Sequence, residues 1–93
     1  MIAEQEKKLF EAILCIESVD ECKRFFDDLC TPSELEEFSS RWLIARLLKE
    51  KKPYRQIASE TGVSTTTVGR VARYLRHGSD GYNVILGRLD KRK

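Results

Sequence analysis

The stretch 54-YRQIASETGVSTTTVGRVARYLRHG-78 has the pattern of two short helices that cross at a tight turn. Such a pair needs aliphatic residues where the helices touch, a small residue at the crossing and a glycine where the chain bends sharply. Ile57 and Ala58 supply the contact and the small residue, and Gly62 follows Ala58 by four. Glycine reaches positive φ without the steric cost of a Cβ. Val63 is then the turn residue to bury, and Val68, Val71, Ala72 and Leu75 recur at helical spacing and face back. Residues 54–77 therefore read as a helix-turn-helix.

Its outward face carries chemistry suited to a polyanion. Ser64 is placed to cap the second helix, and Thr65, Thr66 and Thr67 fill its first turn. That turn enters the major groove in this motif, where hydroxyls and methyls meet base edges or phosphates. Arg70 and Arg73 share a face with Thr66 and Gly69, and Arg76 lies nearby; residues 62–77 hold three arginines and no acid. Lys51, Lys52 and Arg55 stand where the first helix begins. The candidate DNA contacts are Lys52 and Arg55 there, and Ser64, Thr65, Thr66, Thr67, Arg70 and Arg73 on the second helix. Gly69 is out of place, because a glycine inside a helix costs about 1 kcal/mol against alanine. Three readings are open: DNA or a ligand approaches the backbone at that point, the helix is loosely ordered until bound, or the glycine is neutral drift.

Outward from this motif the chain reads as helix throughout. Residues 2–17 carry Leu9, Phe10, Ile13, Leu14 and Ile16 over more than one face, which predicts burial on two sides, one of them by a second subunit. Ser18 and Glu21 form a capping-box pattern for a helix to about Leu29, with Cys22, Phe25, Phe26 and Leu29 inward. Thr31-Pro32-Ser33-Glu34 opens a third helix to about Glu50, with Leu35, Phe38, Trp42, Ala45 and Leu48 in its stripe and Leu43, Ile44 and Leu47 at the edges. Trp42 reads as a packing residue. Lys49-Glu50-Lys51-Lys52-Pro53 breaks that helix with charge and proline. His77-Gly78 ends the second helix of the motif, and Ser79 or Asp80 caps a last one over 81–90, followed by the basic tail Lys91-Arg92-Lys93. The expected fold is all-α with six helices in a single domain over 1–93: dimerisation and core helices in 1–50, the helix-turn-helix in 54–77, and the last helix with its tail in 81–93.

Charge is divided along the chain. Residues 1–37 hold eleven acids and four bases, whereas residues 38–93 hold four acids and thirteen bases, for a total of +2. A basic second half suits a polyanion partner and leaves the first half a different task. The three cysteines, Cys15, Cys22 and Cys30, have no metal-ligand spacing, and the one histidine, His77, leaves a zinc site short of ligands, so no metal is expected. No constellation of His, Cys and carboxylates suggests catalysis, and no enzyme is expected. No apolar run is long enough for a bilayer and the first residues lack the regions of a signal peptide, so the expected location is the cytoplasm, with no membrane partner.

From about Leu29 to Leu89 the chain resembles the tryptophan repressor superfamily, in particular its YerC/YecD-type branch. The matching residues are LCTP at 29–32, SSRW at 39–42, LLKEK before the turn, YRQIASETGVSTTTVGRV, and the following GSDGY. The resemblance implies a six-helix fold in an intertwined homodimer, with the helix-turn-helix as a reading head on each subunit. It implies a transcriptional regulator, a repressor, on a roughly palindromic site in double-stranded DNA. In the repressor itself, tryptophan lies between the reading head and the core, clasped by two arginines that match Arg41 and Arg70 and beside a turn that matches Thr31. Two pocket positions depart: Val71 stands where the repressor has glycine and Tyr74 where it has serine. Neighbours three apart on a helix would crowd the same slot. The expectation is a small anionic effector or none, and not free L-tryptophan. Two other readings stay open: a ligand-sensing or protein-interaction module that keeps the fold without DNA binding, and a region-4-like promoter-binding module.

Overall fold

The computed structural model describes residues 2–92, which form six helices and, among the described residues, no strand. They are α1 (Ile2–Ile13), α2 (Val19–Leu29), α3 (Pro32–Lys49), α4 (Tyr54–Thr61), α5 (Thr65–His77) and α6 (Gly81–Lys91). The all-α, six-helix expectation holds. Lys93 of the basic tail lies outside the described residues. No described helix is long and apolar enough to cross a membrane. The contacts divide the chain into two units, Met1–Glu36 and Glu37–Lys93.

In the first unit α1 stops four residues short of the expected end. The Cys15 and Ile16 amides donate to Ala12 and Ile13, only three residues back, which tightens and closes the helix. Residues 17 and 18 are then spent on starting α2. The Ser18 hydroxyl accepts the Glu21 amide at 3.1 Å, and the Glu21 carboxylate accepts the Glu17 amide at 2.9 Å. The box at the start of α3 is reciprocal: Thr31 Oγ1 accepts from the Glu34 amide at 3.1 Å and Glu34 Oε1 from the Thr31 amide at 2.9 Å. Phe25 and Phe26 meet edge to face, with centroids 5.6 Å apart. No residue of α2 is buried, and Leu29, expected to point inward, is about half exposed.

The core of the second unit is Ile44, Ala45, Ile57, Val68 and Val71, with Trp42, Tyr54, Ala58, Val63 and Tyr82 packed against it. Ile44, expected at the edge of the α3 stripe, is its fully buried centre, and Phe38 is exposed instead. Apolar residues run around most of α3, so periodicity alone does not select the face; contact with the helix-turn-helix does. Trp42 stacks on Tyr82 at 6.1 Å, the packing role expected of it.

The turns of this unit differ in chemistry. α3 closes in a Schellman motif: the Lys52 amide donates to Leu47 and the Lys51 amide to Leu48, with Lys51 left-handed at φ +67°. Gly62 takes φ +79° after α4, as its place in the motif requires. Gly78 is needed for space, because a Cβ there would stand 2.5 Å from the Tyr74 carbonyl oxygen. Asp80 occupies the N-cap of α6 but makes no side-chain cap there. Its carboxylate instead accepts the Asn83 side-chain amide at 3.1 Å, and the same amide nitrogen donates to the Leu75 carbonyl at 2.9 Å, joining α6 to the end of α5.

Candidate nucleic-acid interface

The geometry of the helix-turn-helix starts at its turn. Gly62 ends α4, its amide bonded to Ala58 at 2.9 Å, and Ser64 restarts the chain by accepting the Thr67 amide at 3.1 Å. Two residues with fixed roles thus set the angle at which α5 leaves. Val68, Val71 and Ala72 turn into the core, which obliges the opposite face of α5 outward. Thr65, Thr66, Arg70 and Arg73 are exposed. No acid lies in the first turn of α5, so its positive dipole end is unopposed by a side-chain carboxylate of that turn.

The other candidates are placed differently. Ser64 is committed to the cap, and Thr67 is half-buried with its hydroxyl 3.2 Å from that of Ser64. Arg55 is exposed on α4, and Lys52 is half-buried just before it. Pro53, at the N-cap of α4, offers no capping side chain, which leaves the first amides of α4 for solvent or a ligand. Arg76 does not join the basic face: its Nη2 donates to the Tyr54 hydroxyl at 3.1 Å.

The structure gives no steric reason for Gly69. A Cβ there would lie 4.0 Å from Tyr54 Cε2, an ordinary van der Waals contact, so the tyrosine ring beside it leaves room for alanine. Sequence reading missed Tyr54 as a site residue. Its hydrogen-bond partner, Arg76, lies 22 positions away on another helix, where no periodicity reaches.

A cleft of about 1080 Å³ flanks α5, with Arg41, Arg70 and Tyr74 all on its walls beside the Trp42–Tyr82 stack. Arg41 lies 3.7 Å from Glu37, which also lines the cleft, and 5.6 Å from the centre of the Phe38 ring. Val71 and Tyr74, expected to crowd this slot, both line it. Val71 is 3% exposed, with its side chain shared between the core and the cleft wall, and Tyr74 is 58% exposed. Thr31, in the other unit, uses its hydroxyl and amide in the α3 capping box. Among the described residues no group of His, Cys, Asp and Glu is arranged to hold a metal.

Residues 4–90 match the family model of the Trp repressor protein. The chain is 45% identical over 82 residues to the uncharacterized protein YerC of Bacillus subtilis, covering 88% of this chain and 79% of that one. Its fold is similar to a TrpR-like protein from Eubacterium eligens, with a TM-score of 0.89 at 41% identity, covering 94% and 90% of the two chains. A proposed Trp repressor from Staphylococcus aureus gives a TM-score of 0.88 at 42% identity, covering 94% and 87%. A family model that spans nearly the whole sequence, together with these solved folds, is what the six helices and the Gly62 turn lead to: the chain belongs to the Trp repressor family.

Proposed function

We propose that the protein is a cytoplasmic, sequence-specific DNA-binding transcriptional regulator, a repressor that acts as a homodimer on a roughly palindromic operator. The observation that carries this reading is the outward face of α5. Thr65 and Thr66 are exposed in its first turn, Arg70 and Arg73 follow, and residues 62–77 contain no acid to repel phosphate. Arg55 is exposed on α4 for the duplex backbone. The family is one of regulators rather than enzymes. The homodimer is supported by the apolar side chains left outside: Leu14 and Val19 are 85% and 87% exposed. The cleft lined by Arg41, Arg70 and Tyr74 is read as the place of a small anionic effector.

The test is a titration of labelled duplex DNA at stepped salt. Affinity that falls log-linearly with salt, and further in Arg73→Ala, supports the reading. Affinity indifferent to both Arg73→Ala and Thr66→Ala would put the contact elsewhere or nowhere.

A further inference from the structure

A second cleft, of about 410 Å³, lies between the end of α3, the start of α4 and the last turns of α5. It shares no lining residue with the cleft of Arg41 and Arg70. Four cations stand around it, Lys49, Lys51, Lys52 and Arg76, and among the described residues no carboxylate lines it. Like charges gathered without an acid repel one another and favour an anion between them.

Two details set this cleft apart from ordinary basic surface. Lys51 holds φ +67° at the position where a Schellman motif favours glycine. A lysine there is strained where glycine would not be, and the strained residue lines the cleft. The second detail is the Tyr54–Arg76 pair. The guanidinium donates to the phenol oxygen at 3.1 Å, which leaves the phenol proton to donate onward. A phenol, a guanidinium and three ammonium groups are all donors, so the ligand they suit is an acceptor with negative charge on several oxygens.

We infer that this cleft binds a phosphoryl group. Its source is either a backbone phosphate of the duplex or the phosphate of a small molecule, and only the first rests on the DNA-binding reading above. Tyr54 is a positioning residue that holds Arg76 at the cleft.

The variant that tests this is Lys51→Gly. It removes one cation and also relieves the left-handed strain, so the unliganded protein should melt at the wild-type temperature or above. One arm measures melting in inorganic pyrophosphate against sodium chloride of equal ionic strength. A small-molecule source predicts a saturable rise in wild type that is lost in Lys51→Gly and Arg76→Gln. The other arm measures the salt dependence of duplex binding. A backbone source predicts that the slope of log affinity against log salt falls by about one in Lys51→Gly. Arg46→Gln removes an exposed α3 cation that does not line the cleft, and should change neither readout. Either positive arm supports the inference and identifies the source. Lys51→Gly matching wild type in both arms, or Arg46→Gln reproducing its effect, overturns it. Failure of the DNA-binding reading would show in wild type, which would then bind no duplex, and the pyrophosphate arm alone would decide.

Discussion

On the outward face of α5, Thr66 and Arg73 are both exposed, and their chemistry assigns them different work. A threonine in the first turn offers a hydroxyl and a methyl, groups that discriminate between base edges. Thr66→Ala should therefore shift preference at one base by about 1–3 kcal/mol and leave non-specific binding alone. Arg73 offers charge, and Arg73→Ala should weaken all sequences alike and lower the salt slope by about one. Competition titrations with single-base variants of a bound site separate the two effects; a base-specific change in Arg73→Ala would reverse the assignment. At the cleft of Arg41 and Arg70, Arg41 already faces Glu37 at 3.7 Å, but the pair is largely exposed and contributes at most about 1 kcal/mol. Val71 and Tyr74 both line this cleft, and between them they are expected to exclude an indole. Calorimetry with millimolar L-tryptophan should give no saturable heat. A saturable heat that disappears in Arg70→Ala would show that Tyr74 does not block the cleft.

The helices are started by side chains, and one of those starts is sensitive to pH. Thr31 donates its amide to Glu34, and its hydroxyl adds to this, so the Glu34 carboxyl is held below the ordinary 4.5. A carboxyl lowered by folding stabilises the fold above its unfolded value, and that contribution is lost as pH falls through the lower, folded value. Wild type should lose more stability on acidification from about pH 4.5 downward than Glu34→Gln, as read by urea midpoints across that range. Parallel acid limbs would show that the box contributes nothing that titrates. Both capping boxes were legible in the sequence because Ser18/Glu21 and Thr31/Glu34 act over three residues. So was the turn, since Gly62 and Ser64 announce it locally. What escaped was decided at longer range or by a residue in an unusual role. Lys51 takes a left-handed place with no glycine to mark it. Asp80 accepts a side-chain amide rather than capping a backbone one. The buried face of α3, Ile44 rather than Phe38, was chosen by helices later in the chain.

At the scale of the whole molecule, the division of charge and of apolar surface runs along the same sequence. The first 37 residues are net acidic and the remainder net basic. In residues 1–36 the described side chains include Phe10, Leu14, Val19 and Leu29 in the open, and no described residue is buried. A chain of 93 residues gains little from so small a core, and covering these side chains with a second copy would couple association to folding. The melting temperature should therefore rise with protein concentration; a folded, cooperative monomer in sedimentation at micromolar concentration would contradict the dimer. A dimer of reading heads would read two half-sites related by a twofold axis. The most direct measurement is selection of bound sequences from random duplex DNA with the purified protein. The account predicts an enriched, roughly palindromic site with half-sites about one helical turn, or a multiple of it, apart, lost when Thr65, Thr66 and Arg73 are all changed to alanine. Recovery of no sequence above the input pool, or enrichment that survives those three changes, would contradict it.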